Sequence, residues 1–67
     1  MTPTEILKAR QAAGLSQSAA AALVHLSSGL RWSEYERGVR NIDPARWELF
    51  LLLTCQHPRL SVIAKSP

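Results

Sequence analysis

The 67-residue sequence contains little cysteine, few aromatic residues and no long apolar run. Cys55 is the single cysteine, so the chain can form no internal disulfide, and such a composition is typical of a reducing, cytoplasmic compartment. No apolar run approaches the roughly 20 residues that a membrane span needs. The N-terminal "MTPTEILK" also lacks the basic-then-apolar pattern of a signal peptide. The sequence therefore predicts a cytoplasmic protein that has no membrane partner.

Groups that could carry catalysis or bind a metal are equally scarce. The candidate ligands His25, Cys55 and His57 do not have the spacing of a metal site. No His and Asp accompany Cys55 in the pattern of an activated nucleophile, and no glycine-rich loop could bind a phosphate. We therefore expect no enzymatic activity, no metal, no cofactor and no small-molecule ligand.

Positive charge is in modest excess and is concentrated in the middle of the chain. Eight Lys and Arg residues against five Asp and Glu residues give a formal net charge of +3. Arg31, Arg37, Arg40 and Arg46 all lie between residues 31 and 46. This distribution favours a polyanionic partner such as a nucleic acid.

Capping signals divide the first half of the chain into two helices. Thr2, Pro3 and Glu5 have the pattern of a capping box followed by proline, and Gly14 is a stop signal, so a helix is predicted over 3–13. Ser16 caps a second helix over 17–24, whose four consecutive alanines predict close contact with a neighbouring helix.

The second half repeats these signals. A third helix, about 28–37, begins at Ser27 or Ser28 and ends before Gly38, and Asp43 with Pro44 opens a fourth. The sequence predicts an all-α fold, a compact bundle of four to five short helices. Residues 1–54 form the domain, and residues 55–67 form a C-terminal tail that is a candidate dimerisation segment and could contain one short helix or strand.

The third helix has two chemically different sides. Trp32 and Tyr35 are three residues apart and share the side that we expect to be buried. At 100° per residue, six positions lie on the opposite side or its flanks; they are Gly29, Leu30, Arg31, Ser33, Glu34 and Arg37. These residues either face water only or contact a partner, and an exposed Leu30 favours a partner.

Helices two and three, joined by a short turn, form a helix-turn-helix arrangement. The motifs "GLSQ" (14–17), Ala20-Ala21 and "YERG" (35–38) resemble the lambda-repressor-like, Cro/XRE-type family of DNA-binding domains over about 7–50. The short chain and "ARWELF" (45–50) also resemble small phage regulators, including those that accompany anti-CRISPR genes. The sequence departs from the family at His25, where glycine is usual, and by one extra residue in "LSSGL" (26–30).

The resemblance implies a prokaryotic or phage-encoded protein that binds double-stranded DNA and is associated with the nucleoid when bound. The outer positions of helix three would contact bases in the major groove. Phosphate contacts are predicted for a second set of residues: Ser16, Gln17, Ser28, Arg40, Asn41 and Arg46. By the same resemblance Gln17 also buttresses helix three, and Arg10 forms an ion pair with Glu36. The alternative for Arg10 is a further phosphate contact.

The fourth helix carries apolar residues around nearly its whole circumference, and such a helix needs a cover. We expect a symmetric homodimer whose interface comprises Phe50, Leu52, Leu53, Leu60, Val62 and Ile63. The alternative is that the tail folds back over helix four within one chain.

The sequence-based hypothesis is a dimeric transcriptional autorepressor that inserts helix three into the major groove of an inverted-repeat operator. The alternative hypothesis is a protein-interaction module of the same fold. Such an antitoxin or adaptor would bind a partner protein through helix four and the tail.

Overall fold

A computed structural model describes residues 1–59, which form four α-helices and no strand. The helices are α1 (Pro3–Ala12), α2 (Gln17–Leu23), α3 (Gly29–Glu36) and α4 (Pro44–Leu53). The predicted all-α fold is confirmed. Within this part of the chain no helix is both long enough and apolar enough to cross a bilayer. Leu60, Val62 and Ile63 of the predicted dimer interface lie outside the described residues.

Three of the four helices begin at the caps that the sequence predicts. At α1 the Thr2 hydroxyl accepts from the Glu5 N–H at 3.2 Å, and the Glu5 carboxylate accepts from the Thr2 N–H at 3.0 Å. Ser16 and Asp43 cap α2 and α4 by accepting from backbone N–H groups three residues ahead. Each cap satisfies a donor that the first helical turn leaves unpaired.

Left-handed residues end the helices. Gly14 and Gly38 have φ values of +69° and +76°, which glycine adopts without steric cost. His25 and Cys55 have the same conformation, at +63° and +61°. His25, where the resemblance predicts glycine, adopts the left-handed conformation that favours glycine, at a cost of about 1–2 kcal/mol.

The core is built around two large aromatic residues from α3 and α4. Trp32 and Phe50 are both fully buried, with ring centroids 4.8 Å apart, and Trp47 stacks on the outer side of Phe50 at 6.1 Å. Smaller side chains from α1, α2 and α3, from the residue that ends α2 and from the loop before α4 complete this cluster: Ile6, Ala9, Ala20, Ala21, Val24, Tyr35 and Ile42.

The prediction that Phe50 lies in a dimer interface is wrong. Its ring is enclosed between the two tryptophans of its own chain and has no accessible surface. Leu49 and Leu51 are also packed against the core, so much of the apolar surface of α4 is covered internally. Leu52 is half-buried, and Leu53, at 42% exposure, is the large apolar side chain that α4 leaves most open.

Candidate nucleic-acid interface

Helix α3 is fixed to the core by one side only. Trp32 is fully buried and Tyr35 is 4% exposed, and their rings meet edge to face with centroids 6.1 Å apart. Leu30, on the opposite side, is 75% exposed. We call Leu30, Arg31, Ser33, Glu34 and Arg37 the outer face of α3; all five are exposed or half-buried. The helix thus has the predicted orientation, with Trp32 and Tyr35 toward the core.

Helix α2 approaches α3 very closely. Ala20 and Ala21 are buried, as the alanine run predicts. At Gly29 a Cβ atom would lie 2.7 Å from Ser18 Oγ and 3.0 Å from the Ser18 backbone nitrogen. Gly29 therefore belongs to the contact between the helices, and its contact with a base stays a prediction. The spacing of 100° per residue placed Gly29 on the flank of the outer side and did not predict its close contact with α2.

Glu36 connects α3 to both preceding helices. Its carboxylate accepts two hydrogen bonds from the Arg10 guanidinium, one from Gln17 Nε2 at 3.0 Å and one from Trp32 Nε1. Burial alone would raise the pKa of the Glu36 carboxyl, but the hydrogen bonds from Arg10, Gln17 and Trp32 hold that pKa below its usual range. The carboxylate is therefore charged at neutral pH.

The same network places Arg10 and Gln17. Arg10 also donates to the Leu15 carbonyl at 2.9 Å, and its side chain is only 17% exposed. Its donors are thus directed inward. This direction agrees with the ion pair and not with the alternative, a phosphate contact. Gln17 bonds to α3 through its amide while it lies at the first position of α2. This contact is the buttress that the resemblance implies.

Arginine side chains and one carboxylate occupy the outer face of α3. Glu34 Oε1 accepts from Arg31 Nη1 at 3.3 Å and lies 3.4 Å from Arg40 Nε in the following loop. Arg37 Nε donates to the Ser33 hydroxyl at 3.3 Å. An open groove runs along this side; its lining comprises Ser27, Ser28, Leu30, Arg31, Glu34 and Arg37. The outer face therefore presents donors, acceptors and an apolar group within about two helical turns.

Arg46 has a structural task that sequence reasoning missed. Its Nε donates to the Val24 carbonyl at 3.0 Å and its Nη1 to Asp43 Oδ1 at 2.7 Å. It thereby joins the start of α4 to the end of α2. The backbone N–H and the guanidinium of Arg46 lower the pKa of Asp43. A cation in the first turn of α4 is thus explained without a phosphate, and the phosphate contact of Arg46 stays a prediction.

The other predicted phosphate contacts remain at the surface. Ser16 precedes α2, Ser28 precedes α3, and Arg40 and Asn41 lie in the loop between α3 and α4; all four are exposed. The Ser28 hydroxyl makes no capping hydrogen bond. These side chains can therefore be offered to a ligand without breaking a helix cap, except for Ser16, whose Oγ accepts from Ala19.

The surface has a second groove, between α1, α2 and the end of α4. Most of its lining residues have apolar side chains, and we call it the apolar groove. Its lining comprises Ala12, Ala13, Leu15, Ala19, Leu23, Leu53 and Thr54. The apolar groove and the outer face of α3 share no residue.

Within residues 1–59 no three or more His, Cys, Asp and Glu side chains are grouped so that they could hold a metal ion. His57 Nε2 lies 3.3 Å from Glu48 Oε1, and Cys55 is exposed. In comparisons with known proteins, the chain matches no family model and no characterised sequence.

Proposed function

We propose that this chain is a sequence-specific double-stranded DNA-binding protein that inserts α3 into the major groove and acts as a dimeric repressor of its own operon. The observation that carries the proposal is the orientation of α3. Its two aromatic residues are buried, while on its outer face Leu30, Arg31 and Arg37 are exposed and Ser33 and Glu34 are half-buried. The major groove of B-DNA is wide enough for one α-helix, whose outward side chains then reach the base edges.

Each residue of the outer face has a chemically matched partner in that groove. Arg31 or Arg37 can donate to guanine O6 and N7, and Glu34 can accept from cytosine N4. Ser33 can bond to several bases, and Leu30 can contact a thymine methyl. Leu30 is costly to leave in water, so an apolar partner accounts for its exposure.

Rigidity supports the same function. Specific contacts require side chains that are held in place before the partner arrives, because ordering them on binding opposes association. The bonds of Glu36 to Arg10 and Gln17 fasten α3 to α1 and α2. Ser16, Gln17, Ser28, Arg40 and Asn41 would then contact phosphates on either side of the groove and fix the register.

The repressor role follows from what such binding can do without chemistry. A protein that occupies a promoter blocks polymerase by occupancy alone. Two copies related by two-fold symmetry would place their α3 helices about 34 Å apart and bind an inverted repeat.

Selection of binding sites from random 30-base-pair duplexes tests the proposal. We expect enrichment of an inverted repeat whose half-sites are about one helical turn apart. The affinity of the enriched duplex should fall as salt rises, with a log–log slope of about −0.9 for each phosphate neutralised. A selection that enriches no sequence contradicts the proposal.

The apolar groove favours a second function, a protein-interaction module that binds a partner protein there. Leu53 and Leu23 would pack against apolar side chains of the partner, because buried apolar area is the main driving force of such contacts. Salt distinguishes the two functions, because an apolar contact changes little between 50 and 200 mM salt. A DNA complex with 6–10 phosphate contacts loses roughly 10³–10⁵ in affinity over that range.

A further inference from the structure

One carboxylate on the outer face of α3 is placed between two arginines. Glu34 Oε1 lies 3.3 Å from Arg31 Nη1 and 3.4 Å from Arg40 Nε. The backbone reinforces this arrangement, since the N–H groups of Val39 and Arg40 both donate to the Glu34 carbonyl after the left-handed turn at Gly38. These backbone bonds therefore place Arg40 beside α3, next to the Glu34 carboxylate.

These ion pairs contribute little to folding. The arginine side chains are 46% and 54% exposed, and exposed pairs of this kind are worth about 0–1 kcal/mol. The pairs are therefore easily exchanged for others. A DNA phosphate could replace Glu34 as the partner of either arginine.

The carboxylate itself fits few positions on DNA. Phosphates repel it, and guanine N7 and O6, adenine N7 and thymine O4 are all acceptors in the major groove. The amino groups of cytosine and adenine are the donors that it can meet there. Glu34 is thus compatible with a narrow set of base pairs and unfavourable on the rest.

We propose that Glu34 is a specificity-determining residue that acts by withholding Arg31 and Arg40 from non-specific DNA. On most sequences Glu34 stays paired with the two arginines, and fewer phosphates are neutralised. Where an amino group of cytosine or adenine faces Glu34, the carboxylate bonds to the base and both arginines are released to phosphates. This inference rests on the proposed DNA binding and adds to it a penalty against wrong sequences.

The test compares Glu34→Gln with Glu48→Gln in the full chain. Both substitutions remove one negative charge. Glu48 lies on α4, is 62% exposed and contacts His57 rather than an arginine, so Glu48→Gln measures the effect of the same change in net charge without freeing an arginine. Affinity is measured on the duplex enriched from the random pool and on a scrambled duplex of equal length, from 50 to 200 mM salt. Thermal melting of the free proteins verifies that both variants fold.

We expect Glu34→Gln to bind the scrambled duplex more tightly than Glu48→Gln does, and to lower the ratio of specific to non-specific affinity by about tenfold. Its log–log salt slope on the scrambled duplex should be steeper by about 1–2, since one or two further phosphates are neutralised. Equal behaviour of the two variants would overturn the inference and leave the DNA-binding function standing. A wild-type protein that prefers no duplex at all would overturn both.

Discussion

At the scale of single residues, the Glu36 carboxylate determines how α3 is held. Arg10 approaches it from α1, Gln17 from α2 and Trp32 from its own helix. A buried carboxylate without partners would be strongly unfavourable, and here both oxygens are satisfied. The same side chain that links the helices also fixes the indole at the centre of the core. Loss of this one charge should therefore lower the stability of the whole fold.

We expect Glu36→Gln to lower the free energy of unfolding by about 3 kcal/mol at pH 7, because Arg10 then lacks an anionic partner in a largely buried position. The pKa of Glu36 is lower in the folded protein than its ordinary 4.5. Its stabilising contribution is therefore complete above that value and disappears as the pH falls through the folded-state pKa. Urea unfolding at pH 7, 5 and 3 should show the wild type and the variant converging toward pH 3.

The exposed Glu48 provides the control, since Glu48→Gln should change the unfolding free energy by no more than about 0.5 kcal/mol. A difference between wild type and Glu36→Gln that stayed constant from pH 7 to pH 3 would argue against a charged Glu36.

Only part of this network could be predicted from the sequence. The resemblance to known regulators predicted the ion pair between Arg10 and Glu36, and it predicted that Gln17 buttresses α3. The bond from Trp32 to Glu36 could have been found from spacing, because residues four apart share a helix face. The bond from Arg46 to the Val24 carbonyl spans 22 positions. No local pattern reports such a contact, since it exists only once α4 packs beside α2.

At the scale of elements, helix starts were predictable because a cap is a local interaction. Thr2, Ser16 and Asp43 bond within three residues of their own positions, so their side chains determine the start of a helix before any tertiary contact forms. The start of α3 differs, because two adjacent serines offer equivalent caps. Its start at Gly29 coincides with the close contact with Ser18 of α2, which is a tertiary constraint.

We expect Gly29→Ala to destabilise the protein by about 1–3 kcal/mol, the usual cost of forcing an extra methyl into a filled space. In a helix without tertiary contacts the same change would stabilise the helix by up to about 1 kcal/mol. The sign of the change in stability therefore shows whether α2 and α3 are in close contact. The new Cβ would lie 3.0 Å and 3.1 Å from the Ser18 backbone N and Cα as well as near its hydroxyl. Thermal melting measures the loss.

A double variant locates the clash. Ser18→Ala removes the hydroxyl but leaves the backbone atoms, so adding it to Gly29→Ala should recover only part of the lost stability. Full recovery would mean that the side chain alone keeps the helices apart. A stabilised Gly29→Ala would mean that α2 and α3 do not pack this closely.

At the scale of the whole molecule, the sequence predicts that α4 is apolar around nearly its whole circumference. It does not predict which of these apolar side chains face the core. Phe50 is buried between its contacts with Trp32 and Trp47, and Leu49 and Leu51 are partly buried against the same core. Leu53, beside the apolar groove, and Leu30 of α3 are among the large apolar side chains that stay exposed. Under the proposed function, these two surfaces, which share no residue, serve self-association and DNA binding.

Leu53→Glu and Leu30→Glu should separate these tasks. Two copies joined through the apolar groove bury Leu53 twice, and a carboxylate at each site should raise the dimer dissociation constant by about a hundredfold or more. Leu30→Glu should leave the dimer intact and abolish binding of the enriched duplex, because it places a charge against base acceptors. Analytical ultracentrifugation measures the first effect and fluorescence anisotropy with labelled DNA the second.

The two variants are matched, since each replaces an exposed leucine with the same charged residue, so a general loss of solubility or fold would affect both alike. Leu53→Glu should still bind one half-site, with the weaker affinity and shallower salt slope of a protein that neutralises half as many phosphates. If Leu53→Glu stayed dimeric while Leu30→Glu became monomeric, α3 would be the self-association surface. Its outer face would then be covered by a second copy, and the major-groove assignment would be wrong.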